Sequence, residues 1–243
     1  MSAKIKLGVN GALGKMGTRI LTLAARDDDF QIVCALERLS HPQIGEKIAG
    51  IEVVSHRDAI KSADCLIDFS TPEATLVNCN DALRFKKALV IGTTGLSPQQ
   101  KGEIAEAAKK IGIVFSPNFS VGVNMLFQLV REAAQELPRD YRVRIVEAHH
   151  VHKKDAPSGT AKFIADIVKD ERGEDVADIK SIREGEIIGD HEVFFESPGD
   201  TIVLRHSAKT RDILALGALQ AAKFIVTKKN GLFGMSDVIK EMR

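Results

Sequence analysis

The run Glu147-Ala-His-His-Val-His-Lys-Lys-Asp-Ala-Pro-Ser-Gly-Thr-Ala161 puts three histidines (149, 150, 152) and two lysines (153, 154) into six consecutive positions. A Pro-Ser-Gly-Thr turn follows at once. Packed cores do not take such a run, because Lys and Asp are almost never buried unless paired. Imidazoles exchange protons near neutral pH. A turn that opens a helix offers amides and a dipole that favour negative charge. Together these residues suit a site that holds an anionic molecule and protonates it.

Three readings of the run stand side by side. In the first, His149, His150 and His152 bind zinc. Their H-H-x-H spacing suits no single helical face, the nearest thiolate in sequence is Cys79, and the adjacent lysines would repel a cation. In the second, the run is a solvated basic loop without a task. In the third, it is an acid–base and anion-binding centre. A protonated His or Lys donates to a developing carbanion or nitrogen. Lys153 and the amides near 158–160 hold carboxylates through charge-assisted hydrogen bonds. The mixture of residue types favours the third reading, with no metal.

The elements around the run decide what it acts on. The chain has 243 residues, enough for two domains. It is 44% hydrophobic and 28% charged, a globular rather than a disordered composition. Its formal net charge of +1 gives no general pull toward nucleic acid or an anionic membrane. No apolar run approaches the roughly 18 residues that span a bilayer. No basic helix-turn-helix segment is evident. Cys34, Cys65 and Cys79 form no C-x-x-C pair and read as buried small hydrophobes in a reducing compartment. The segment from Met1 leads directly into a strand-like pattern, and a cytoplasmic protein is expected.

The first half alternates strand and helix. A strand over 4–10 runs into Gly11-Ala-Leu-Gly14-Lys-Met-Gly17, a helix follows over 18–26, and a second strand over 30–36 ends in Glu37-Arg38. Gly11 permits a tight turn, Gly14 lets backbone approach a pyrophosphate, and Gly17 allows helix–strand packing. Glu37 is placed to accept from a ribose hydroxyl. The glycine spacing is not the usual G-x-G-x-x-G, so a plain structural turn remains an alternative; the flanking strands, helix and acid favour a dinucleotide. Arg38 would attract a 2′-phosphate that Glu37 repels, so both NADH and NADPH are expected; a solvated arginine is the other reading. Further strands over 65–70, 88–91 and 113–115 end in loops at 70–72, 92–95 and 116–119. Ligands of open parallel sheets bind at such carboxyl ends. Gly92-Thr-Thr-Gly95 either approaches a nicotinamide ribose or is only a turn. A helix is expected from Ser97, with Ser97 as its N-cap and Pro98 at its first position, to 111.

The second half differs. An amphipathic helix is expected over 124–136, a strand over 142–147, a helix over 161–169, and strands over 180–183, 192–196 and 201–207 in a largely antiparallel sheet. An apolar-faced helix over 213–226 is expected to return to the first domain. The fold class is therefore α/β: a Rossmann-type dinucleotide-binding domain over 1–120 and 209–243, and a smaller α+β domain with a mostly antiparallel sheet over 121–208 for substrate and oligomer contacts.

At this point the chain resembles the 4-hydroxy-tetrahydrodipicolinate reductases, the dihydrodipicolinate reductases of bacterial lysine and diaminopimelate synthesis. The resemblance rests on Glu147-x-His149-x-x-x-Lys153-x-Asp155-x-Pro-Ser-Gly-Thr-Ala161, Gly11 to Gly17, Glu37-Arg38, Gly92-Thr-Thr-Gly95, Asn118-Phe-Ser-Val-Gly-Val-Asn124 and Gly231-Leu-Phe-Gly-Met235. It implies NADH- or NADPH-dependent reduction of a small cyclic dicarboxylate, with no nucleic-acid or membrane partner. It implies that His149 and Lys153 handle protons and that His150, Ser158, Gly159 and Thr160 hold the substrate. It implies cofactor contacts at Gly11, Ala12, Leu13, Gly14, Lys15, Met16, Gly17, Glu37, Arg38, Gly92, Thr93, Thr94, Ser116, Pro117, Asn118 and Phe119, and a homotetramer built on the second domain's sheet. Domain closure is expected, because the motifs lie in different domains. Two departures stand out: Arg144 occupies a position where the family often has an acid, and the stretch from 169 to Arg183 is short. Another NAD(P)-dependent amino-acid or semialdehyde dehydrogenase, or an NADH-sensing protein without turnover, are the competing readings. The His/Lys run counts against both.

Overall fold

The protein, described here as a computed structural model over residues 3–242, divides into two compact units. One comprises the chain up to Phe119 and from Leu214 onward, and the other is Ser120–Ile213. The first unit begins with β1 (Ile5–Asn10), α1 (Lys15–Ala24), β2 (Phe30–Leu36) and the short strands β3 (Lys47–Ile48) and β4 (Ile51–Val54). A 3-10 turn (Arg57–Ser62) leads to β5 (Cys65–Asp68), α2 (Pro72–Phe85), β6 (Ala88–Ile91), α3 (Pro98–Ala108) and β7 (Gly112–Phe115). The second unit holds α4 (Val121–Glu136), β8 (Arg142–His149), α5 (Gly159–Arg172), β9 (Asp178–Arg183), β10 (Asp190–Glu196) and β11 (Thr201–Ser207). The chain then continues through α6 (Asp212–Ile225), β12 (Gly231–Phe233) and α7 (Met235–Glu241).

Eight strands of the first unit form one sheet in the order β12-β7-β6-β5-β1-β2-β4-β3. All pairings are parallel except β3 with β4. The central strands are apolar nearly throughout and buried, as strands covered on both faces must be. β1 has β2 on one side and β5 on the other, so the order reverses at its carboxyl end. That reversal opens the crevice in which such sheets bind ligands. Cys34, Cys65 and Cys79 are buried free thiols. Burial pushes Cys34 up to about 12 and Cys79 up to about 11, so they serve as small hydrophobes.

Three elements differ from expectation. α1 starts at Lys15 rather than 18, with Gly17 inside its first turn. A helical glycine is unfavourable by roughly 1 kcal/mol. Here a β-carbon at position 17 would lie 2.0 Å from the Gly11 carbonyl oxygen, so only glycine lets the helix start so close to the turn. β3 and β4 join through Ala49 and Gly50, both at positive φ, a tight hairpin that a single alanine conceals in the sequence. β12 adds an edge strand beside β7, too short to leave a periodic signal.

The second unit's sheet runs β11-β10-β8-β9. β10 is antiparallel to both β8 and β11, whereas β9 lies parallel to β8, with α5 as the crossover between them. α4 and α5 cover one face through Val123, Phe127, Val130, Ile164, Ile167 and Val168, against Ile145, Val193 and Phe195 of the sheet. The short stretch before Arg183 is the link from the left-handed Gly173 cap of α5 to β9. Arg144 lies on the opposite face, 3.8 Å over the Phe194 ring and 2.9 Å from Glu196.

Side-chain caps fix most helix starts. Thr71, Ser97, Ser120 and Ser158 each accept from an amide of their helix's first turn, and Ser97 with Gln100 forms a capping box. α1 has Gly14 at that position and no side-chain cap.

Close packing in the first unit is testable at α6. A β-carbon on Gly217 would lie 1.8 Å from the Phe119 carbonyl oxygen, whereas one on Gly102 of α3 meets nothing within 4 Å. Gly217→Ala should destabilise by about 1–3 kcal/mol or more. Gly102→Ala should stabilise by roughly 0.5–1 kcal/mol. Thermal denaturation reads both, and equal melting temperatures for the two variants would contradict the packing.

Candidate active site

A cavity of about 600 Å³ lies at the carboxyl ends of the first unit's strands. Gly11, Leu13, Gly14, Glu37, Arg38 and Arg57 are among the residues that line it. The turn itself is internally bonded. Ala12 donates to the Leu36 carbonyl at 3.0 Å, Gly14 to the Gly11 carbonyl at 3.0 Å, and Leu13 to Glu37 Oε2 at 3.2 Å. The first-turn amides of α1, at Lys15 and Met16, therefore remain as donors at an uncapped helix N-terminus. The glycine turn, the uncapped helix and the acid at the end of β2 fit a dinucleotide. Among the described residues, no group of three or more His, Cys, Asp or Glu stands where it could hold a metal ion.

The other expected cofactor loops are drawn together by one residue the sequence did not mark, Phe69. Its carbonyl lies 2.7 Å from where a β-carbon on Gly11 would be, and its ring 2.2 Å from where one on Gly92 would be. Its ring also packs on Phe119, with centroids 5.5 Å apart. Thr93 Oγ1 accepts from the Ser70 amide at 3.0 Å, and Ser116 Oγ donates to the Asn118 carbonyl at 2.7 Å. Thr94 and Pro117 are exposed, Asn118 is half-buried, and Ala12, Gly17 and Phe119 are buried. Beneath these loops lies Asp68, fully buried, accepting from Asn10 Nδ2 and Asn78 Nδ2 at 3.0 Å and from Ser70 Oγ at 2.6 Å. Burial pushes its carboxyl up, and these donors oppose the shift. Arg57 Nη2 in turn donates to Asn78 Oδ1.

In the second unit the His/Lys run starts on β8. Alternation turns Ile145, Glu147 and His149 to the helix-covered face. Glu147 is fully buried and saturated. Its Oε2 lies 2.5 Å from His149 Nδ1, and its Oε1 accepts from the Ser158 amide at 3.2 Å. Arg183 of β9 grips both oxygens at 3.0 and 2.8 Å, a two-pronged contact that suits the guanidinium fork. Burial alone would push Glu147 up, but Arg183 foremost, with the other donors, holds it at about 2. Burial lowers the His149 pKa; Glu147 opposes this, and Lys153 and Arg183 add to it.

His191 of β10 stands directly across from Glu147 in the sheet register. Its ring lies edge-on to His149, with centroids 5.2 Å apart, and its Nε2 is 3.2 Å from Ser158 Oγ. Burial and the neighbouring His149 push His191 down to about 4, so it is neutral at working pH. Neither Arg183 nor His191 was marked by the sequence. The only signal pointing to them is strand register, which pairs His149 with Arg183 and Glu147 with His191.

The rest of the run separates by exposure. Lys153 is largely covered, its Nζ 2.8 Å from Asp155 Oδ1. His150 is half-buried with Nδ1 buried and unpartnered, whereas His152 and Lys154 face solvent. Ser158 is expected among the carboxylate-holding residues, yet its amide serves Glu147 and its hydroxyl caps α5 through the Ala161 amide at 3.2 Å. Gly159 opens the helix with clear space beside its α-carbon, and Thr160 follows in the same first turn.

Comparison with known proteins bears on both units. Residues 5–119 match the family model "Dihydrodipicolinate reductase, N-terminus", and residues 122–239 match "Dihydrodipicolinate reductase, C-terminus". A 4-hydroxy-tetrahydrodipicolinate reductase of Geotalea uraniireducens is 38% identical over an alignment of 263 positions, covering 97% of this chain and 98% of its own. Among solved structures, a dipicolinate-bound dihydrodipicolinate reductase from Paenisporosarcina sp. TG-14 superposes with a TM-score of 0.83 at 22% identity, over 97% of this chain and 99% of its own. Aspartate semialdehyde dehydrogenase II of Vibrio cholerae shares the fold more loosely, with a TM-score of 0.61 at 12% identity over 93% and 99% of the two chains. Matched over both halves by its models and along nearly all its length by its curated relatives, the chain belongs to the dihydrodipicolinate reductase family.

Proposed function

We propose that this chain is the NADH- or NADPH-dependent reductase that converts 4-hydroxy-tetrahydrodipicolinate to tetrahydrodipicolinate in lysine and diaminopimelate synthesis, with proton handling by His149 and Lys153. The observation that carries the residue assignment is the Glu147–His149 pair, set on a buried strand immediately before Lys153 and the first turn of α5.

The substrate ring loses water to give a conjugated cyclic imine. When bound, the nicotinamide dinucleotide supplies a hydride to ring carbon four. The chain holds the ring and manages the proton that the resulting enamine takes up. The amides of Gly159 and Thr160, at the positive end of a 14-residue helix, suit one ring carboxylate. His150 and Lys153 suit the remaining acceptors. Ser158 acts indirectly, since its donors anchor the helix start against Glu147. Cationic neighbours stabilise electron density that moves toward the ring nitrogen. In the first unit, Lys15 and Met16 amides meet the pyrophosphate, Glu37 the ribose and Arg38 a 2′-phosphate.

We also assign the chain to a homotetramer built on the face of the second sheet that α4 and α5 leave uncovered. Exposed Val203 lies in register with Phe194 on that face, and Phe194 with Arg144. The cytoplasm suits three free buried cysteines.

Three outcomes test the reading. His149→Gln and Lys153→Ala should each lower kcat by roughly 10²–10⁴-fold. If both keep near-normal turnover when NADPH oxidation is followed by absorbance, the catalytic assignment is wrong. Arg38→Ala should raise KM for NADPH roughly tenfold or more, the scale of a hydrogen bond to a charged group, and leave KM for NADH nearly unchanged. An equal change for both cofactors removes the 2′-phosphate role. Because burial lowers the His149 pKa from 6.5, donation by its imidazolium gives kcat/KM a limb that falls as pH rises through a value below 6.5. That limb should vanish in His149→Gln.

A further inference from the structure

Glu147 meets an imidazole and a guanidinium with one carboxylate. A buried acid 2.5 Å from an imidazole nitrogen raises that imidazole's proton affinity. The more tightly an imidazolium is held, the less readily it gives up its proton at working pH. The structure supplies a counterweight. Arg183 binds the same two oxygens at 3.0 and 2.8 Å from the neighbouring strand. With Arg183 in place the carboxylate is already neutralised, and His149 meets a balanced pair rather than a bare negative charge.

We infer that Glu147 and Arg183 form a positioning pair for His149, in which Glu147 fixes the ring's tautomer and Arg183 cancels the carboxylate's charge so that His149 stays able to lose its proton. The inference rests on the reading of His149 as a proton-transfer group and adds what makes that group serviceable. Glu147 takes the Nδ1–H, which leaves Nε2 as the exchanging nitrogen. Nε2 faces Gly189, where a β-carbon would come within 3.1 Å. Any larger residue at 189 would crowd the working edge of the ring.

The surroundings agree from every side. On β8 Glu147 acts on His149, and on β9 Arg183 does. After β8, Lys153 adds positive charge, tempered by Asp155 at 2.8 Å. On β10, His191 is neutral at working pH, with Asp190 and His206 acting on it from either side of the sheet. From the start of α5, the neutral Ser158 hydroxyl meets His191. Burial acts most strongly on the proton affinity of His149; among the charged groups, Glu147 raises it and Lys153 and Arg183 lower it, so removing Arg183 leaves Glu147 less opposed.

Arg183 also donates to the carbonyls of Ile182 and Asp155, and a purely structural staple would explain those contacts equally well. The two roles separate by sign. The test is an NMR titration of ring-labelled histidines in the full-length protein without substrate, with the His149 signal assigned by its loss in His149→Gln. Arg183→Met should raise the His149 pKa by about one unit or more, because the carboxylate is left unbalanced. Glu147→Gln should lower it and weaken the Nδ1–H tautomer. Arg183→Lys keeps the charge without the fork and should leave the His149 pKa near its value in the unsubstituted protein. Shifts of the same sign in Arg183→Met and Glu147→Gln, or an unchanged His149 pKa and tautomer in Glu147→Gln whether or not Arg183→Met folds, overturn the inference. The titration needs no turnover. If His149 moves as expected while the pH profile of kcat/KM does not follow, the positioning pair stands and the proton-transfer reading of His149 falls.

Discussion

The second unit is organised around one buried carboxylate. Glu147 joins β8 to β9 through Arg183, β8 to the start of α5 through the Ser158 amide, and both to His149. A charge so far from water is tolerated only when its lone pairs are filled, and here donors meet both oxygens. Removing one partner from such a set costs about 3–5 kcal/mol, because it strands a buried charge. That magnitude exceeds what any single cap or surface ion pair in the chain supplies. The contacts that would align a proton donor with the anion-attracting end of a helix are therefore also strong contacts of the unit, and geometry and stability depend on the same atoms.

The first unit solves a similar problem with different parts. Three strand-end loops must converge, and steric exclusion brings them together more than charge does. Phe69 touches the backbone of Gly11 and Gly92 so closely that neither position admits a side chain, and its ring rests on Phe119. Asp68, one residue earlier, ties Asn10 at the end of β1 to Asn78 of α2. Glu37 reaches back from β2 to the Leu13 amide. Each carboxylate joins elements distant in sequence at the carboxyl edge of the sheet, where a ligand needs rigid walls.

Much of what is local was legible in the sequence. The glycine turn, the acid that ends β2, the Ser-Pro start of α3 and the Pro-Ser-Gly-Thr start of α5 each fit within a few residues, and each appears in the structure. The 147–161 run stood out for the same reason. What stayed hidden was carried by register. Arg183 lies 36 residues from Glu147, and His191 lies 33 residues from Ser158. No periodicity marks them, because their meaning comes from which strand lies beside which. The sheet was expected to be largely antiparallel, as it is; that β9 is its one strand parallel to β8 follows from the α5 crossover. Phe69 was hidden differently: it read as one more apolar residue at a strand end, and its importance comes from what its neighbours lack.

The placement of charge also bears on how such a site receives an anion. Two of its cations are already engaged: Arg183 with Glu147, and Lys153 with Asp155. Its second buried imidazole, His191, is neutral. Two imidazoles 5.2 Å apart in a buried setting could not both carry charge cheaply, and the more deeply buried ring is the one that gives way. In the proposed reading, these engaged cations are not all that the site offers a dicarboxylate. Part of the attraction falls to the amide dipoles at the start of α5, which need no counterion. Part falls to Lys153, whose partner Asp155 is exposed and so can be solvated when a ligand carboxylate takes its place. In the proposed reading, Lys153 exchanges one carboxylate for another, which changes its partner rather than its charge.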